Sequence, residues 1–264
     1  GWVWHQGKLY MAAYSGGTLT VWDPAKPWQF GSAPESNPRL LGTLDIGRPA
    51  ALIVAPDGQH LLSGGVPTYG DVGGVITIVD PGTQQIEVVP ELLGTQSIAS
   101  MLSVPESDLV CIGTTWRGGS ASEAPKTDPR ILLWDFATRE MVYEAVPVPG
   151  EDGIVQMVMV GDLVYATTDG TGYLVVFDPY EQRVVHSTEL GSGPGCLFGL
   201  GENPADGMLY AISGDSIVRI DPESYEIELL GTYPGLDWGL GIAGDSIYIY
   251  AGSDLIKFSI PPVE

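Results

Sequence analysis

Residues 161–179 read GDLVYATTDGTGYLVVFDP. Two short segments rich in β-branched and aromatic residues flank a TDGTG turn signal, and the second closes on an apolar residue, Asp and Pro. Segments this short, bounded by Gly, Asp and Pro, suit strands rather than helices. The same order returns as GKLYMAAYSGGTLTVWDP at 7–24 and GMLYAISGDSIVRIDP at 207–222. The closing phrase recurs as VWDP at 21–24, IVDP at 78–81, LWDF at 133–136, VFDP at 176–179 and RIDP at 219–222, with a worn copy, IKFS, at 256–259. A period of about 40–55 residues points to an array of small sheets rather than one ordinary core.

Each unit follows one plan: an apolar first strand rich in small residues, a tight turn, a second strand, a variable loop, a third strand ending in the Asp phrase, and a more polar fourth strand. The second-strand anchors Leu9, Leu61, Leu109, Leu163, Leu209 and Ile247 are 52, 48, 54, 46 and 38 residues apart. Four antiparallel strands per unit at this spacing is the β-propeller pattern. The fold expected is therefore all-β, a single propeller domain over residues 1–264. Its six repeats lie near 1–46, 47–95, 96–148, 149–191, 192–233 and 234–264. The sixth has no clear fourth strand, because only PPVE follows Ile260. That leaves one blade of three strands, or a ring continued by further residues or a partner. Small residues in the first strands, Ala51, Gly199 and Gly239, suit a crowded central channel.

The Asp-Pro phrase has a structural account. Asp bonds its own backbone at the start of a turn, and Pro favours the next position. Asp23, Asp80, Asp135, Asp178 and Asp221 read as hairpin residues on separate blades, too dispersed for paired-carboxylate chemistry. Trp22, Trp134, Phe177 and Phe258 precede those turns and are expected to pack between blades.

The net charge is −22, from 33 acids against 11 bases. Such a field disfavours nucleic acid and anionic membranes, and no basic cluster counters it. No run of about 18 apolar residues could span a membrane as a helix. Cys111 and Cys196 fall in strands of different repeats and read as small buried hydrophobes. His5, His60 and His186 are scattered. No zinc, calcium-loop, phosphate-loop or triad motif appears. No cofactor is evident, although the sequence leaves a divalent cation open.

Two loops break the repeat. VPTYGDVGG at 66–74 and TTWRGGSASEAPKTDP at 114–129 exceed the usual length of such connections, and they belong to successive units. They carry Tyr69, Asp71, Trp116, Arg117 and Lys126. The junctions between units add Arg48, Asp152, Asp237 and Trp238. In a chain with few bases, Arg48 and Arg117 could hold a carboxylate, with Trp116, Tyr69 or Trp238 as a stacking surface. Alternatively both arginines pair with the plentiful acids, and Trp238 belongs to the core. A third long loop, 24–39, joins a third and a fourth strand. Its Trp28 and Phe30 could cover an edge or dock a neighbour.

Through the three segments quoted above, the chain resembles the broad group of bacterial and fungal propellers with YVTN/NHL-like or quinoprotein-like repeats. That resemblance implies a link to extracellular polysaccharide-active proteins, and with it an extracellular or periplasmic home. The WD-repeat pattern, the sialidase Asp-box and a lactonase-like metal set are not reproduced. One expectation is a carbohydrate-directed propeller taking a neutral or anionic glycan, such as a uronic-acid sugar, at Arg117, Tyr69, Trp116, Arg48, Asp71 and Asp237. If it is an enzyme, a polysaccharide lyase or glycoside-processing class is favoured. The other is a structural or protein-interaction module. It predicts an apolar patch near residues 24–39 or along the sixth blade, and a partner covering that incomplete blade.

Overall fold

The structure, a computed structural model, describes the chain except Ser32, Glu91 and residues 192–194 and 263–264; side chains of residues 195–198, Asp237 and Trp238 also lie outside the description. The described residues form 23 β-strands and no α-helix. They pack as two compact units, Gly1–Thr127 with Ile131–Glu144, and Asp128–Arg130 with Ala145–Glu264.

In the first unit, β1 (Trp2–His5), β2 (Lys8–Ala13), β3 (Thr18–Trp22) and β4 (Arg39–Thr43) pair in that order. So do β5 (Arg48–Val54), β6 (Leu61–Val66), β7 (Ile76–Val79) and β8 (Ile86–Val89). A third group follows as β9 (Ser97–Ser103), β10 (Leu109–Thr115), β11 (Ile131–Asp135) and β12 (Met141–Ala145), again paired in chain order. In the second unit come β13 (Gly153–Val160), β14 (Leu163–Asp169), β15 (Tyr173–Asp178) and β16 (Arg183–Glu189). Next are β17 (Gly195–Glu202), β18 (Leu209–Ser213), β19 (Ser216–Ile220) and β20 (Ile227–Thr232). The last group is β21 (Leu236–Ala243), β22 (Ser246–Ala251) and β23 (Asp254–Ser259), three strands only.

The strand order read from the repeats is thus present in every group. By pairing, however, the described strands do not divide into six separate four-stranded sheets. Six separate blades are therefore not established, because backbone pairing need not stop at a repeat boundary. Within each unit the first strands of successive groups approach one another: β1 with β5 and β5 with β9, then β13 with β17 and β17 with β21.

The core sits between successive sheets. Tyr10, Leu19 and Val21 of the first group meet Leu52, Leu61 and Val79 of the second. Leu62, Ile76 and Ile78 then meet Ile98, Ile112, Leu132 and Trp134. In the second unit Tyr165, Leu174 and Val176 pack on Leu209, Val218 and Ile220, and Tyr210, Ile212 and Ile217 on Ile247 and Ile249. Neighbouring residues such as Leu61 and Leu62 thus serve opposite faces, as the period of two requires. Each such fully buried aliphatic side chain contributes about 1.5–3 kcal/mol relative to exposure. Trp134 and Phe177 are fully buried and Phe258 packs on the last core cluster, as expected. Trp22 departs from that pattern: it is half-buried, against Trp4 and Trp28.

Gly239 has a different cause from the one expected. A Cβ there would meet nothing within 4 Å, but its φ is +69°. The position needs glycine for a left-handed backbone and not for space.

The Asp phrases are turns, and they share one geometry. Asp80 Oδ1 accepts from Gly82 N at 2.7 Å and Thr83 N at 3.1 Å. Asp23, Asp135, Asp178 and Asp221 accept from backbone N–H groups two or three residues on. The fourth residue after four of them, Gln84, Arg139, Gln182 and Tyr225, has a positive φ. In three of these four turns its N–H returns to the Asp carbonyl. Hydrogen bonds from Thr83 hold the Asp80 carboxyl below the usual range, and the Glu223 N–H does the same at Asp221.

Candidate functional site

The two long loops meet. Gly70 N donates to Ser120 O and Gly119 N donates to Asp71 O, both at 2.9 Å. The approach is close enough that a Cβ on Gly119 would fall 1.7 Å from Thr68 O. That position requires glycine because backbone occupies the space of a side chain. Thr68 Oγ1 donates to Asp71 Oδ2, folding the acid back onto its own loop. Arg48 reaches the second loop by donating from Nη2 to Ser120 Oγ, and its guanidinium lies 5.2 Å from the centre of the Tyr14 ring.

The sequence-selected residues are therefore placed unequally. Arg48 and Asp71 take part in the loop junction. Tyr69 is 78% exposed. Arg117 is exposed, with its guanidinium 5.6 Å from the ring centre of its neighbour Trp116. Trp116 is half-buried, and its indole N–H is buried with no hydrogen-bond partner among the described atoms. The side chain of Asp237, and that of Trp238, lies outside the described residues.

Two buried side chains just ahead of first strands escaped the sequence reading. Gln96 precedes β9. Its Oε1 accepts from Thr114 Oγ1 and its Nε2 donates to Thr127 Oγ1, each at 2.8 Å, so it ties together both ends of the second long loop. Glu151 precedes β13 and accepts from Thr168 Oγ1 (2.7 Å), Thr171 N (3.0 Å) and Gly172 N (3.1 Å). It is a buried carboxylate satisfied by three donors, as burial of charge demands. The common signal is a carboxamide or carboxylate just before a first strand, with Thr near the end of the second.

Cys111 is a fully buried free thiol, and burial pushes its pKa up, which suits a small core hydrophobe. The Cys196 side chain lies outside the described residues. His186 stacks on Tyr225 at 4.8 Å, His60 pairs with Asp57, and His5 is buried beside Tyr10. Among the described residues no group of three or more His, Cys, Asp or Glu is arranged to hold a metal ion. Nor, among them, is any helix long and apolar enough to cross a membrane.

A second surface lies in the first sheet. One face of β1–β4 packs in the core; the other is aromatic. Pairing sets Trp4 opposite Leu9 and Leu9 opposite Trp22, a row across three strands. Trp22 lies 6.1 Å from Trp4 and 6.3 Å from Trp28 between ring centres. Trp2 is 68% exposed, Trp28 65% and Phe30 83%. The 24–39 loop is itself tied down. Buried Asn37 accepts from Asp23 N at 2.9 Å and donates to the carbonyls of Asp23, Lys26 and Pro27. Residues 1–46 carry three acids and three bases, while the rest of the chain carries 30 acids and 8 bases. The aromatic face thus belongs to an electrically balanced segment of a strongly acidic protein.

No family model matches the chain, and no curated protein matches it. Among solved structures, the β-propeller domain of Cps50 (Swd1) from Myceliophteria thermophila superposes with a TM-score of 0.63 at 15% identity, covering 100% of this chain and 87% of that one. The chain has a β-propeller fold. At this identity the likeness carries architecture alone. The narrower kinship with repeats of extracellular polysaccharide-active proteins finds no support in it.

Proposed function

We propose that this propeller, built of six strand groups, is a protein-interaction module that docks a partner on the open face of β1–β4. The observation that carries this reading is the set of exposed Trp2, Trp4, Trp28 and Phe30, in which Trp22 links Trp4 to Trp28. Large exposed apolar patches on proteins mark interaction surfaces, and aromatic residues dominate interface energetics. The charge balance of residues 1–46 favours the same reading, since an apolar partner meets little opposing field there. The propeller likeness is consistent with it.

The test is affinity capture from the source organism with the wild-type protein and with Trp2→Ser, Trp4→Ser. These side chains face away from the core, so the variant should melt within a few degrees of wild type. A partner held by the wild type should bind the variant about 10-fold or more weakly, the loss of an aromatic hot spot. Equal capture by both proteins would sink the assignment of this face.

A second reading keeps a glycan at the two-loop site, favoured by exposed Tyr69 and by Arg117 beside Trp116. A glycan array read with wild type and Arg117→Ala separates it from the first. Binding lost with that arginine, in a protein that still folds, would favour the glycan.

A further inference from the structure

We propose that Ser120 is a phosphorylation site whose phosphate is received by Arg48. The inference rests on neither reading above. It concerns a covalent change at the junction of the two long loops, and the aromatic face can fail without touching it.

The first observation is the partner that Arg48 has. In a chain of 33 acids, Lys26, Arg139, Arg183 and Arg219 each reach a carboxylate. Arg48 pairs with none among the described residues. Its Nη2 donates to Ser120 Oγ, 72 residues away in the chain, and its guanidinium rests on the Tyr14 ring. A guanidinium carries five N–H donors in a planar fork that matches the oxygens of a phosphate. A neutral hydroxyl uses little of that capacity.

The second observation is that both partners are held. Arg48 opens β5, and Gly47 before it lies so near the first long loop that a Cβ there would fall 2.5 Å from Pro67 O. Ser120 is pinned through its carbonyl, which accepts from Gly70 N, and through Gly119 N, which donates to Asp71 O. A phosphate on Oγ therefore meets a guanidinium already in place, and little ordering entropy opposes their bond.

The third observation is that the segment suits a transferring enzyme. Around the hydroxyl the chain reads RGGSASE at 117–123. Kinases select substrates by charge pattern, and an arginine three residues before a serine is one such pattern. Ser120 is half-buried, while Arg117, Ala121, Glu123, Pro125 and Lys126 are exposed. Residues 116–130, between β10 and β11, form no strand, so the loop can open locally at small cost. In the transfer, Ser120 Oγ attacks the terminal phosphorus of a nucleoside triphosphate. The new O–P bond forms as the bond from that phosphorus to the bridging oxygen breaks. The nucleoside diphosphate leaves, and the hydroxyl proton passes to the base of the kinase.

The product carries a charge of about −1.5 to −2 at neutral pH and three strong acceptor oxygens. Arg48 attracts it. Asp71, whose carboxylate folds onto Thr68, and Glu123 oppose it. A charge-assisted bond thus replaces a neutral one, tightens the clasp between the loops and takes Arg48 away from any outside anion.

Two measurements on the full chain test this. In the first, the native protein is incubated with ATP and a kinase that selects arginine three residues before serine, and tandem mass spectrometry locates the phosphate. Ser120 should be labelled in the folded protein, and Arg117→Ala should slow the labelling about 10-fold. Labelling confined to heat-unfolded protein would overturn the proposal, because the site is then closed in the fold. In the second, phosphoserine is installed at position 120 during translation, and its titration is followed by phosphorus NMR. The ordinary second pKa is about 6. Arg48 favours the dianion, so the midpoint should lie about one unit lower, a 10-fold gain for the charged form. In Arg48→Gln it should return to about 6 or rise above it, since the net charge of the chain is −22. The Gly70 and Gly119 amides should also exchange about 10-fold more slowly in the phosphorylated protein. A midpoint at or above about 6 with the arginine present, or unchanged exchange, would overturn Arg48 as the receiver. Should Arg48→Gln misfold, the midpoint and exchange measured with Arg48 in place still decide.

Discussion

Glu151 shows how far one residue can be read. In the sequence it is one acid of a GEDG run, with nothing local to set it apart from the neighbouring Asp152. In the fold Glu151 is 3% exposed and gathers three donors from the β14–β15 turn. Replacing it by Ala strands Thr168 Oγ1 and two backbone N–H groups. Hydrogen bonds to charged groups contribute about 1.5–3 kcal/mol each but add poorly, so Glu151→Ala should cost about 3 kcal/mol. Glu151→Gln, which keeps an acceptor oxygen, should cost less. Urea titrations of the two variants check both the size and the order. Equal losses would mean that packing and not hydrogen bonding dominates there. Which member of an acidic pair is buried depends on where the chain turns relative to the next strand, and that is not written in the pair itself.

At the scale of elements, the repeated Asp turns were legible because their chemistry is local. A carboxylate and the N–H groups two and three residues on need no distant partner. The depressed pKa values at Asp80 and Asp221 give these turns a pH signature. A carboxyl whose folded pKa lies below its unfolded one stabilises the fold above the unfolded value. That contribution is lost as the pH falls through the folded value. The protein should therefore lose stability on the acid side, below the ordinary Asp range. In Asp221→Asn the amide oxygen still accepts from Glu223 N, but the group no longer titrates. Its melting temperature should fall less steeply with acid than that of wild type, measured from neutral pH downward; parallel curves would exclude a role for Asp221. The 24–39 loop was less legible. Its aromatic content stands in the sequence, but its shape rests on Asn37 reaching back to Asp23, Lys26 and Pro27. Likewise the two long loops were expected to be neighbours, while the Gly119 junction that clasps them was not, because a bare glycine pair reads as any turn.

For the whole molecule the dominant quantity is charge. With 33 acids and 11 bases, mutual repulsion opposes compaction, and ion pairs such as Lys26–Asp23 and Arg139–Glu87 are long, at 3.9 Å. Salt shortens the Debye length from roughly 30 Å at about 0.01 M to roughly 8 Å at about 0.15 M. The melting temperature should rise by a few degrees over that range. A flat or falling trend in calorimetry would show that attractive pairs outweigh the net repulsion.

The sequence by itself determined the all-β class, the strand order within each group and the Asp turns. Those features arise from alternation and turn chemistry within a few residues, and each repeat states them again. Only the tertiary structure decided that Trp2, Trp4 and Trp28 face solvent and that Glu151 braces the β14–β15 turn. Strand periodicity tells which residues share a face, but whether a neighbouring sheet covers that face depends on packing between segments far apart in the chain.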